Sequence, residues 1–185
     1  MGPSGAQIFG TASQIAVLEK VIRQPGLIAV WYGDDLAYTT SLMVSPATYR
    51  KYLFPYMEEL ARIAHAAGMP FMYHTDGRVW NVIPDLITLG VDVLHPIETM
   101  AMDINEVKRC YGDRLAMVGN INPNTLGLGT PAEVREEVRQ CIKGLAPGGG
   151  YAVGASPGIA YYMRMENYEA MRRCVFEEGV YPIRS

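Results

Sequence analysis

An α/β fold with a parallel sheet is what this sequence predicts, on three observations. From residue 26 onward, short β-rich runs alternate strictly with longer segments whose apolar residues recur every three or four positions. The helical segments open on capping residues and close on glycine. Polar side chains collect directly behind the β-runs, where parallel α/β folds build their sites.

A short helix is expected over about residues 11–23, within an N-terminal helical segment of residues 1–25. The first strand is Leu27 to Tyr32, ending in Gly33-Asp34-Asp35. Ser45 then caps a helix that has Pro46 in its first turn, and Tyr49, Tyr52, Leu53, Tyr56, Leu60 and Ile63 keep its spacing to the stop at Gly68. Pro70 to His74 is the second strand, followed by Thr75-Asp76-Gly77, a helix over about 79–89 and a closing Gly90. The third strand is Val91 to His95, with a helix capped by Asp103 after it. Leu115 to Asn120 is the fourth. Thr130 and Glu133 then form a capping-box start for a helix running to about Leu145. The fifth strand, Tyr151 to Gly154, precedes a last helix over about 165–178.

Periodicity alone leaves a doubly wound sheet or a barrel. Five strands suit a small open sheet and fall short of an eight-stranded barrel of about 250 residues, so the open sheet is the expectation from pattern alone. A formal net charge of −3 and a pI near 5.6 supply no basic stripe for a nucleic-acid partner. No apolar run approaches the roughly 20 residues that span a bilayer. The start, Met1-Gly-Pro-Ser-Gly, lacks the basic and apolar stretches of a signal peptide. Cys110, Cys141 and Cys174 are odd in number and form no CxxC, and they read as buried free thiols of a cytoplasmic protein.

Nearly every strand delivers polar groups at its end: Asp34 and Asp35, His74 and Asp76, His95 and Glu98, Asn120 and Asn122, and Ser156. Parallel strands place all of them on one rim. Asp34-Asp35 taken alone reads as a solvated turn. His74-x-Asp76 fits a metal site, an acid–base dyad or an interior hydrogen bond equally well. Residues 119–124 read as a ligand loop or as a tight turn capping its own backbone. His65, near a helix C-terminus, reads as a surface residue facing the dipole.

The ordered strings Gly33-Asp34-Asp35-Leu36, Ser45-Pro46-x-x-Tyr49, Pro55-Tyr56, His74-Thr75-Asp76-Gly77, Ile83-Pro84-Asp85-Leu86, Leu94-His95-Pro96-Ile97-Glu98, Gly119-Asn120-Ile121-Asn122 and Thr130-Pro131-x-Glu133 resemble the uroporphyrinogen decarboxylase superfamily over about residues 26–180. The resemblance implies a (β/α)₈ TIM barrel and overrules the open sheet. Residues 26–185 would then be its C-terminal part, an incomplete barrel of about five parallel strands and their helices. It also implies a long N-terminal half, of which this sequence has little. A truncated form, a split gene product or a half that needs a partner is therefore expected, as a homo-oligomer or with the N-terminal half.

The decarboxylases of this superfamily bind an acidic tetrapyrrole through N-terminal arginines and an aspartate, and they carry Leu-Asp-Trp and Gly-His-Gly-Ile-like motifs. Here those stretches read Leu94-His95-Pro96 and Ala155-Ser156-Pro157-Gly158-Ile159. The resemblance therefore leans to the methyltransferase branch, whose members exchange methyl groups with corrinoid cobalt. Several of them hold zinc through His-x-Cys and a distant cysteine. His74 is kept, Asp76 replaces the cysteine and Ile159 lies near the missing one. The expected enzyme is corrinoid-linked, with a small-molecule substrate, a corrinoid carried on a partner protein, and His74 and Asp76 as catalytic residues. Asp34, Asp35, His95, Glu98, Asn120, Asn122 and Ser156 would line the pocket. Any zinc would sit on His74, Asp76 and Glu98. Uroporphyrinogen decarboxylation and a non-catalytic half-barrel subunit are the alternatives.

Overall fold

The computed structural model describes residues 5–156 and 158–183. Helix α1 (Gly5–Val21) leads into β1 (Val30–Gly33), α2 (Pro46–Tyr52), α3 (Phe54–Ala66) and β2 (Phe71–His74). A 3₁₀ turn at Trp80–Val82 opens α4 (Ile83–Thr88), which is followed by β3 (Val93–His95), α5 (Ile104–Tyr111) and β4 (Ala116–Ile121). Helices α6 (Pro123–Leu128) and α7 (Pro131–Leu145), strand β5 (Tyr151–Ala155) and α8 (Met165–Glu178) complete it.

Local chemistry accounts for most boundaries. Ser45, Asp103 and Thr130 each accept a backbone N–H inside the helix they cap, and Thr130 with Glu133 makes both bonds of the capping box. The helix expected over 46–67 is two helices. Pro55 has no N–H to donate, and its ring crowds the preceding turn, so the helix breaks at Leu53. Helix α6 was not anticipated: Asn122 caps it by accepting from Asn124 N, with Pro123 in its first turn.

All five strands are parallel and lie in the order β1-β2-β3-β4-β5. A doubly wound sheet must reverse its order at some point, and this one never does. The open-sheet expectation drawn from pattern is thereby corrected: the five strands are an unclosed arc of a β/α barrel. Right-handed crossovers in an unreversed order put every helix on one face. Phe71, Tyr73, Leu94 and Met117 point to that face and are at most 1% exposed. Trp31, on the opposite, lumen-side face, is 55% exposed. Ile15, Leu18 and Ile22 join the same apolar cluster as β1 and α3, while a second cluster lies between β4, β5, α7 and α8. The free cysteines lie in α5, α7 and α8; Cys174 is buried, but Cys110 and Cys141 are only half-buried. No helix among the described residues is long and apolar enough to cross a membrane.

Candidate active site at the C-terminal rim

Strand register builds the centre of the site. Gly33 pairs with His74, and His74 with His95, so the three stand abreast at the strand ends. A Cβ on Gly33 would lie 3.6 Å from His74 Cδ2, an ordinary van der Waals contact, so β1 runs close beside the His74 ring. The two imidazoles meet Nδ1 to Nδ1 at 2.7 Å, and the Trp31 ring lies 5.0 Å from that of His95.

Buried hydroxyls outside the lumen then fix the loop after β1. Tyr73 donates to Asp34 O at 2.6 Å and Tyr49 to Leu36 O at 2.6 Å, while Thr75 Oγ1 accepts from Leu36 N at 2.9 Å. The loop is thus held on both sides of Asp35, whose Oδ1 accepts from Asp76 N at 2.9 Å and lies 4.0 Å from His74 Nε2. Ligand atoms of Asp35, His74 and Asp76 all fall within 4.8 Å of one another. Glu98 has a different place. It accepts from Gly77 N at 2.8 Å and from the Thr39 hydroxyl at 3.3 Å, tying the loops after β1, β2 and β3 together.

Burial sets the electrostatics. It lifts the Asp34 carboxyl above its usual range, with Asp35 adding to the shift. Asp76 is also raised, chiefly by burial; His74 opposes the shift, and Asp35 and Glu98 add to it. His95 is pushed down to about 4 by burial and by His74.

The profile of the uroporphyrinogen decarboxylase (URO-D) family matches residues 10–177. The chain belongs to the URO-D family. Among its relatives, the uroporphyrinogen decarboxylase of Shewanella loihica is 29% identical over 139 residues, covering 72% of this chain and 38% of that protein. The methylcobamide:CoM methyltransferase of Methanosarcina barkeri is 30% identical over 134 residues, covering 70% of this chain and 36% of that protein. A solved methyltransferase structure from Methanosarcina mazei superposes with a TM-score of 0.74 at 21% identity, covering 92% of this chain and 48% of that one. The chain therefore spans about a third to a half of the length of these URO-D-family relatives and of that structure.

Within this URO-D frame the rim residues separate into groups. Asp35, His74, Asp76 and His95 come together, and Glu98 braces the loops beneath them. Asn120 is 6% exposed and donates to Ile97 O at 3.0 Å, supporting a residue held at φ +53. Asn122 caps α6, and the fully buried Ser156 follows β5, its backbone N–H donating to Ile121 O. No hydrogen bond among the described residues links these three to the histidine pair. His65 bonds Asp92 at 2.7 Å from α3. A sulfur-rich zinc set does not fit, because the cysteines sit in α5, α7 and α8. The oxygen–nitrogen set of Asp35, His74 and Asp76 suits a harder or borderline cation. Sequence reading missed Tyr49, Tyr73, Thr75 and Trp31, and the only signal was their place beside the motifs.

Proposed function

We propose that this chain forms the acid–base rim of a corrinoid-linked methyl-transfer enzyme, with His74 and Asp76 at its centre and Asp35 completing the group. The observation that carries the reading is the convergence of these three side chains at the strand ends. The sign of the charge favours methyl transfer over tetrapyrrole decarboxylation. Asp34, Asp35, Asp76 and Glu98 crowd the mouth, and no arginine or lysine among the described residues forms an ion pair with them. A substrate bearing many carboxylates would meet repulsion there.

As the methyl group leaves the corrinoid and bonds to a thiol or another protic acceptor, the acceptor gives up a proton. His74 Nε2 takes it, and the Asp35 carboxylate faces the charge that results. The same three residues would alternatively hold a divalent cation such as zinc, which would lower the pKa of the acceptor.

The lumen face is open, and β1 and β5 each have one neighbour in the sheet. Unpaired edges and an exposed Trp31 call for further strands. These come from a second copy or from an N-terminal half of the barrel. Light scattering should therefore return a mass above the 20.4 kDa of one chain. A clean monomer refutes the association.

The activity test supplies the assembled protein with methylcobalamin and a thiol, and separately with uroporphyrinogen. Thioether formation with loss of the methylated corrinoid is expected. Carbon dioxide released from uroporphyrinogen would replace this reading with the decarboxylase, and inactivity in both would leave a non-catalytic subunit.

A further inference from the structure

Between the loop after β1 and the turn that opens α4 lies a cavity of about 450 Å³, a volume within the range of small-molecule sites. Four polar side chains line it: Thr40, Ser41, Arg78 and Asn81. None of the four side chains forms a hydrogen bond or ion pair with another described residue. All of them offer N–H or O–H donors, and no carboxylate lines the cavity. Arginines at two other cavities are already neutralised, Arg50 by Asp85 and Arg139 by Glu178. The backbone beneath Arg78 is fixed. Ala37 pairs with Leu42, Tyr38 N donates to Ser41 O at 2.8 Å, and Arg78 N donates to Tyr38 O at 2.9 Å. Trp80 and Met43 supply an apolar wall, and the Trp80 ring packs edge-on against Tyr111 at 5.7 Å.

We propose that this cavity binds a small organic oxyanion, such as a phosphate monoester with a flat apolar body, its charged end on Arg78 and its body against Trp80. The sign follows from the lining. Donors without acceptors and a guanidinium without a counter-ion suit an acceptor-rich anion, and the planar fork of arginine meets two of its oxygens at once. The same anion placed in the mouth would face Asp35 and Asp76 instead. The cavity is separate from the Asp35, His74 and Asp76 group and stands whether or not that group transfers methyl. Its walls are nevertheless the two loops that carry Asp35 and Asp76, so an occupant ties those loops together.

The test is nitrogen-15 NMR of the whole chain, titrated with inorganic phosphate and with phenyl phosphate. Trp80 is one of two tryptophans, so its indole N–H signal is easily told from that of Trp31. Both ligands should shift the Trp80 signal and the amides of residues 40–45 saturably. Phenyl phosphate should bind about tenfold tighter, the worth of a partly buried ring. Arg78→Gln should weaken binding at least about tenfold, through loss of a charged hydrogen-bonding partner. Arg78→Lys keeps the charge without the fork and should fall between. Arg164→Gln, at the start of α8, removes another arginine that forms no ion pair among the described residues and should change nothing. Absence of saturable shifts overturns the site, and so do shifts that sodium chloride reproduces at equal ionic strength, which report screening alone. Neither outcome needs a variant to fold. Equal weakening by Arg78→Gln and Arg164→Gln also overturns the site, and equal affinity for the two phosphates overturns the apolar body.

Discussion

Replacing His74 and Asp76 together by alanine should reduce turnover of the assembled enzyme by at least about 10²- to 10⁴-fold, the usual worth of a positioned acid–base group. The fold should survive. The His74 side chain lies on the lumen face, 25% exposed and outside the buried apolar clusters, so its loss opens no sealed cavity. Asp76 is ionised at a cost, since burial raises its carboxyl, and its buried Oδ1 has no hydrogen-bond partner. Truncation removes that cost. The unfolding midpoint should therefore hold steady or rise while kcat collapses. The single variants should not add up to the double, because residues acting as one unit lose most of their effect on the first deletion. His65→Ala with Asp92→Ala is the matched control, an imidazole–carboxylate pair of 2.7 Å on the helix side. It should leave kcat unchanged. Undiminished turnover in the His74/Asp76 double variant would refute the site, and a matching loss in the control would mean that folding, not chemistry, had been measured.

What the sequence discloses and what it hides follow the range of the forces involved. Capping by Ser45, Asp103 and Thr130 and the glycine stops at Gly68 and Gly90 are local, and each falls where the pattern places it. Strand order is not local. Any right-handed crossover satisfies the alternation, so periodicity alone favoured an open sheet, and only the family resemblance pointed to a barrel. The break at Leu53 was legible in Pro55, but the apolar spacing runs through it and masks the missing donor.

The site divides in the same way. Residues at strand ends can be counted, which is why His74, His95 and Asp35 were candidates at all. Whether a candidate faces its neighbours depends on partners distant in sequence. Asn120, equally polar and equally placed, serves the Ile97 carbonyl, and Asn122 begins a helix. The hydroxyls that hold the Asp34–Leu36 loop come from α2 and from β2 and the residue just after it, 13 to 39 positions away, and no motif announces them. Glu98 was expected to bind a metal with His74. Its carboxylate is instead bonded to Gly77 N and Thr39, and Asp35 stands where the third ligand atom would be.

Gly77 carries the second large effect, because conformation and space constrain it together. Its φ is +84, and a Cβ there would lie 2.4 Å from Ala37 O and 2.7 Å from Tyr38 O, both backbone atoms that cannot swing aside. Gly77→Ala must therefore separate the loop after β2 from the loop after β1. That movement breaks the 2.8 Å bond to Glu98 and draws Asp76 N away from Asp35. Strain of this kind costs about 1–3 kcal/mol before any lost bonds are counted. At roughly 2–4 °C per kcal/mol for a chain of this size, a midpoint loss of several degrees follows. Gly148→Ala separates the two causes. Its φ is +81, nearly the same, but a Cβ there meets nothing within 4 Å. It should carry only the conformational cost, about 1–2 kcal/mol for an L-residue in the left-handed region, and keep full turnover. Gly77→Ala should lose both stability and activity, since the displaced loop carries Asp76. Equal midpoints for the two variants would show that the loops after β1 and β2 are not in the contact described, and the convergence of Asp35 with Asp76 would fall with it.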